Sequence, residues 1–196
     1  DRINCDHVHR SDQSSTGCAI IQVSPEGENS ILLYPGANHA LEKTWIADAL
    51  SQLSEGDFVL LQNETNLIAD IVAQAHKSGA RVFLNPAPMK DNIRNIDLKQ
   101  ISFLCMNETE TLALTGQSPI HGAKTLVEQY PQLTVLLTLG EHGCYLLNNS
   151  NELTLPAQKV TVTDTTGAGD TFIGFFVAAL ARGDDLKTAL TQATQA

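Results

Sequence analysis

Apolar and polar positions along the chain change rhythm once, and each rhythm predicts a different kind of element. The first stretch is β-rich. TGCAIIQV (Thr16–Val23) and NSILLY (Asn29–Tyr34) are aliphatic and β-branched, and SPEGE between them is a turn by composition. They predict a β-hairpin over Thr16–Tyr34, then the loop PGANHAL and a helix from Glu42 to Leu53. Beyond it, short apolar runs alternate with segments of helical spacing. Phe58–Gln62 follows the turn Gly56-Asp57 and reads as a buried parallel strand. Leu67, Ile68, Ile71, Val72 and Ala75 share one face of a helix over Asn66–Lys77, and Gly79 closes it. Arg81–Leu84 is the next strand, with the rigid loop Asn85–Pro88 after it. Ile101–Met106 is another strand, and Glu108–Leu114 and Gly122–Gln129 are helices.

Thr134–Leu139 reads as a further parallel strand, and Gly143–Leu147 and Glu152–Leu155 as antiparallel additions. A last strand from Val160 delivers Asp164. Gly167 opens a long apolar helix to Ala181, and Asp185–Thr194 begins one more. Strands alternating with helices of this length predict an α/β fold, a mostly parallel sheet with helices on both faces, plus the small β hairpin. Ligands of such sheets bind beyond the carboxyl ends of the strands. The polar loops there are therefore the first places to look: Gln62–Glu64, Asn85–Pro88, Asn107–Glu110, Thr138–Gly140 and Asp164–Asp170.

Composition narrows the class of function. Among 196 residues, 12 Lys and Arg stand against 22 Asp and Glu, a net charge of −10. That balance disfavours nucleic acid and anionic membrane surfaces as partners, so any anion must be met locally, by backbone N–H groups, a helix end or a metal ion. The longest apolar stretch, Phe172–Ala181, is well below the roughly 20 residues of a membrane span. The opening DRINCDHVHR is charged and carries no apolar leader, and the four cysteines form no Cys-x-x-Cys pair. A cytoplasmic protein is expected, with Cys18, Cys105 and Cys144 as buried reduced thiols in apolar runs. His39 and His142 lack partner spacing for zinc and read as loop residues, and Trp45 is expected to pack on its helix face. The chain starts without Met and its last helix ends uncapped, so an internal piece of a longer protein is expected.

The richest chemistry lies in VTVTDTTGAGDTFIGFFVAALARG, Val160 to Gly183. Gly167-Ala168-Gly169 frees the backbone to turn successive N–H groups onto one anion at the positive end of a helix. Asp170 then falls in the first helical turn. A carboxylate there repels phosphate unless it serves proton chemistry or a metal, so Asp170 fits a general base for phosphoryl transfer to a hydroxyl. The plain rival is a first-turn acid that complements the helix dipole.

This segment resembles the C-terminal signature of the ribokinase family, the PfkB-type carbohydrate kinases. STGCAIIQV…GENSILLYPGAN, LLQNE, LNPAP, MNETE and LTLGEHG resemble segments of that family in the same order, from Thr16 to Ala196. The resemblance implies ATP-dependent phosphorylation of a sugar hydroxyl, ribose first, with residues 16–34 as the β-hairpin of a lid and 35–196 as an incomplete α/β nucleotide-binding core. It implies Asp170 as catalytic base and sugar contact, and Gly167, Ala168 and Gly169 as an anion hole. It gives Asn107 and Glu110 the organisation of a water-held Mg²⁺ and the nucleotide phosphates. Thr138, Gly140 and Gly143 would contact the nucleotide, Asp164 and Thr166 would supply oxygens to K⁺, and Glu64 would contact the sugar. A homodimer is implied for the full-length protein.

Rival uses exist for several of these residues. Asn107 and Glu110 also read as a helix cap and a first-turn acid, and Glu64 as an exposed loop acid. Asn85 either fixes its turn or faces the phosphates. The family's N-terminal Gly-Gly sugar motif has no match here, nor does its C-terminal segment that completes the adenine pocket. A kinase of another sugar or a nucleoside, and a truncated non-catalytic binding protein, are the alternatives. A Rossmann dehydrogenase needs Gly-x-Gly-x-x-Gly after an early strand, whereas Gly167-Ala168-Gly169 runs into DTF, and no Gly-x-x-x-x-Gly-Lys-Ser/Thr P-loop occurs.

Overall fold

A computed structural model describes residues 3–23, 29–160 and 166–196. The expected hairpin forms from β1 (Cys18–Val23) and β2 (Asn29–Tyr34), antiparallel with Cys18 opposite Tyr34. It is followed by α1 (Lys43–Leu50), shorter than the expected helix because Ser51 already caps it.

The main sheet has six strands in simple sequence order: β3 (Phe58–Gln62), β4 (Arg81–Asn85), β5 (Phe103–Asn107), β6 (Thr134–Thr138), β7 (Cys144–Leu147) and β8 (Glu152–Leu155). The first four are mutually parallel; β7 and β8 add antiparallel, as the pattern predicted. The connecting helices are α2 (Ile68–Lys77), α3 (Glu108–Thr115) and α4 (Pro119–Gln129), and α5 (Ala168–Ala181) and α6 (Leu186–Gln195) close the chain. Helix α4 starts three residues earlier than its apolar spacing indicates. Pro119 stands at its first position, where a missing N–H costs nothing.

Helices lie on both faces of the sheet, and two cores result. Side chains alternate along each strand, so successive residues serve opposite faces. Val82 and Leu84, Leu104 and Met106, Val135 and Leu137 face α2 and α4, where Val72, Ala75, Ala123 and Leu126 complete one core. Phe83, Phe103, Cys105 and Leu136 face α5 and α6 and pack on Phe172, Phe176, Ala179 and Leu190. The ring of Phe103 meets those of Phe83 and Phe176 at 5.7 and 6.1 Å. Truncating one of these buried rings to Ala would cost about 3–5 kcal/mol. Burial on both faces explains why the central strands read as unbroken apolar runs rather than alternating ones.

Among the described residues the hairpin has no such cover. Ile20 and Leu32 are 57% and 68% exposed, and Cys18, expected inside, is exposed with them. Cys105 and Cys144 are buried, as expected. Trp45 does more than pack on its own helix: its ring stacks on His9 with centroids 4.5 Å apart.

Candidate active site

The four parallel strands each end on a polar residue: Gln62, Asn85, Asn107 and Thr138. Parallel register sets these ends side by side, Gln62 opposite Asn85 and Asn107 opposite Thr138. They form one wall of an open cleft of about 280 Å³, and Gly167, Gly169, Asp170 and Ile173 of the α5 start form the facing wall. Glu64, Ala87, Cys105 and Glu110 complete it. Residues from five separate stretches of sequence thus converge where an open α/β sheet binds ligands.

The α5 end is built by Gly167. Its φ of 76° is left-handed, a conformation that costs glycine little and other residues more. The turn leaves Gly169 with open space where a Cβ would stand, so a ligand can approach the backbone there. Ala168 is the first residue of α5. Asp170 lies in the first turn and is exposed to the cleft. Its Oδ1 accepts a hydrogen bond of 2.7 Å from Gln62 Nε2.

Asn107 and Glu110 form a reciprocal cap at the start of α3. Asn107 Oδ1 accepts from the Glu110 N–H at 2.8 Å, and Glu110 Oε2 accepts from the Asn107 N–H at 2.9 Å. The helix cap anticipated as a rival reading is therefore real, and it is compatible with a ligand role. One carboxylate oxygen is held by the cap, and Glu110 also lines the cleft. Partial burial raises the Glu110 carboxyl above its ordinary value, and the Asn107 N–H opposes the shift. A bound cation would relieve that penalty. Among the described residues no three His, Cys, Asp or Glu side chains cluster to hold a metal directly. The donor set here is one carboxylate beside an amide, which suits Mg²⁺ that keeps most of its waters.

Asn85 is buried, and its Nδ2 donates to the Cys105 carbonyl at 2.9 Å. Its turn is fixed by a neighbour: buried Asn63 donates to the Pro88 carbonyl and exchanges hydrogen bonds with Asn92. Asn85 itself faces the cleft. Glu64 is exposed and borders a second hollow under the hairpin, shared with Gly17–Ala19, Leu33, Tyr34, Asn63 and Lys90. Burial pushes the Cys105 thiol well up, so it lines the cleft as a neutral group.

Gly140 and Gly143 are not part of the cleft lining. Gly143 has a structural reason to be glycine: its φ is 90°, and a Cβ there would stand 2.0 Å from the Leu155 carbonyl oxygen. Thr166 is exposed at the mouth of the α5 turn, and Asp164 lies outside the described residues. His39 and His142 are exposed in short 3₁₀ turns, as expected of loop residues. Gln62 is the residue that sequence reasoning passed over. It lies in the polar loop Gln62–Glu64, but nothing local marks an amide as a partner for a carboxylate 108 residues away.

The fold and cleft define an α/β protein in which the polar ends of parallel strands and a glycine-opened helix start bearing a carboxylate line one cleft. The model of the pfkB family carbohydrate kinases matches residues 1–196, and the chain belongs to that family. A ribokinase of Haemophilus influenzae is 36% identical over 189 residues, covering 91% of this chain and 60% of the relative. The structure of a ribokinase of Cryptococcus neoformans in complex with ADP superposes with a TM-score of 0.79 at 30% identity, covering 94% of this chain and 65% of that one. The structure of the Arabidopsis thaliana ribokinase with ribose and ATP superposes with a TM-score of 0.74 at 27% identity, covering 93% and 62%. The chain therefore spans less than two thirds of the length of these relatives. Among the described residues no helix is long and apolar enough to cross a membrane.

Proposed function

We propose that the protein carrying this chain transfers the terminal phosphoryl group of ATP to a hydroxyl of a sugar, D-ribose before other sugars. The observation that carries this reading is Asp170, a carboxylate in the first turn of α5 beside the open backbone of Gly167 and Gly169, in one cleft with Asn107 and Glu110. The ribokinase relatives at up to 36% identity, and the ribose and ATP held by the Arabidopsis protein, support the choice of substrates.

Asp170 takes the proton of the sugar hydroxyl as that oxygen bonds to the terminal phosphorus. The bond from phosphorus to the bridging oxygen breaks, and ADP leaves with the electron pair. The N–H groups from Gly167 to Asp170 surround the oxygens of the group in transit, where fixed donors act without reorganising. Glu64, between the cleft and the hollow under the hairpin, contacts the sugar. Thr138, with Gly140 and Gly143 in the loop after it, contacts the nucleotide. Asn107 and Glu110 would hold Mg²⁺ through water, and the ion would supply neutralising charge to the phosphates. Asp164 and Thr166 would supply oxygens to K⁺. The β1–β2 hairpin acts as a lid and, in the full-length protein, as the contact of a homodimer in the cytoplasm.

ADP release by the whole protein, followed with ribose, 2-deoxyribose, fructose and adenosine in turn, tests this. Ribose is expected to give the highest kcat/KM. Preference for fructose or adenosine moves the protein to another substrate within the family, and release with no acceptor removes the reading.

A further inference from the structure

We propose that Gln62 is a positioning residue of this site: its amide, oriented by Asn85, holds the Asp170 carboxylate in the pose that takes the hydroxyl proton. The inference rests on the phosphoryl-transfer reading above.

The geometry is a chain of hydrogen bonds with only one workable polarity. It begins at a backbone carbonyl, that of Cys105 in β5, which can only accept. Asn85 Nδ2 donates to it at 2.9 Å from a buried position, so the amide nitrogen of Asn85 points to β5 and its Oδ1 points to β3. Facing that oxygen is Gln62 Nε2, at a long 3.4 Å, and the same nitrogen donates to Asp170 Oδ1 at 2.7 Å. Flipping Gln62 would set its Oε1 against a carboxylate oxygen and an amide oxygen together. The backbone of β5 thus dictates the orientation of Asn85, Asn85 that of Gln62, and Gln62 that of Asp170.

An exposed aspartate in a first helical turn has several rotamers. The Gln62 hydrogen bond selects one, holds Oδ1, and leaves Oδ2 to meet the hydroxyl. Gln62 and Asp170 share both openings at this end of the sheet, the cleft proper and the groove beside β3 with Leu60, Thr65 and Ile173. Anchoring is specific because both amides end strands whose register is fixed, Gln62 paired with Asn85. A group held in a near-attack pose needs no search before reaction, and its loss is read in kcat rather than in substrate affinity.

The test is a kinetic double-mutant cycle in the whole protein with Gln62→Leu, Asp170→Asn and the pair. A second variant, Gln62→Glu, keeps the shape of the side chain while removing the donor. Gln62→Leu and Gln62→Glu are each expected to lower kcat roughly tenfold or more, with KM for sugar and ATP changed less than about threefold. In the Asp170→Asn background, Gln62→Leu is expected to cost less than about twofold, because its effect runs through the carboxylate. Thermal midpoints separate a folding defect of the Leu variant, and the isosteric Glu variant then carries the comparison. Overturning results are a kcat within about threefold of the parent for Gln62→Glu, or an equal loss from Gln62→Leu in both backgrounds. Full turnover by Asp170→Asn alone would instead remove the base, and this inference with it.

Discussion

Asn107 and Glu110 hold each other's backbone N–H groups at 2.8 and 2.9 Å, so one pair of side chains starts α3 and also faces the cleft. The two duties separate under substitution. Glutamine supplies the same acceptor to the Asn107 N–H but cannot carry charge into a partly buried place.

Glu110→Gln should therefore leave the metal-free protein at least as stable as the parent at neutral pH while lowering turnover. The sign follows from the raised carboxyl. The folded state binds this proton more tightly than the unfolded chain does, so the Glu110 contribution falls as pH rises from about its ordinary value of 4.5 through its folded value. Thermal midpoints of parent and variant should converge near pH 4 and diverge in favour of glutamine toward pH 8. Divergence in favour of glutamate in the absence of Mg²⁺ would mean that the cap needs the charge.

Asp170→Asn should keep nucleotide affinity and lose turnover by about 10²–10⁴-fold, the usual worth of a positioned general base. Calorimetric titration with ADP and a coupled assay with ribose read the two quantities separately. Near-parental turnover would reduce Asp170 to a partner of the helix dipole.

Gly143→Ala should destabilise the fold by about 2 kcal/mol or more, since it adds a left-handed residue and a clash with the Leu155 carbonyl at once. Chemical denaturation measures this. A neutral result would show that β8 yields easily at that point.

Potassium should raise turnover of the whole protein at constant ionic strength, and sodium should substitute poorly, if Asp164 and Thr166 bind a monovalent ion. A flat potassium titration would assign Asp164 to turn formation.

Native alkylation should label Cys5 and Cys18 and spare Cys105 and Cys144, which are buried, with thiols pushed up by desolvation. Mass mapping after a short iodoacetamide pulse reads the pattern. Early labelling of Cys105 would show that the cleft wall opens in solution.

The sequence by itself determined the order of elements and the ends of several of them, because those signals are local. Apolar spacing over 68–77 puts Ile68, Ile71, Val72 and Ala75 on one helical face, and all four are buried. Asn107 three residues before Glu110 is a complete cap at helix start, and Gly167 opens α5 where its permissive φ is needed. The convergence of polar strand ends was also legible, since a parallel sheet brings them together whatever the loops between them.

Tertiary structure alone decided what lies across gaps in sequence. Gln62 meets Asp170 because β3 and the start of α5 reach the same end of the sheet, and periodicity carries no record of such a meeting. Cys18 sits in a run as apolar as those of Cys105 and Cys144, yet it is exposed, because the hairpin has no helical layer packed on it among the described residues. Gly143 has no room for a side chain because β8 returns within 2.0 Å of where its Cβ would stand, a constraint its own loop sequence does not show. Local spacing fixes which face of an element is apolar; only packing fixes what that face, or the residue at its end, comes to touch.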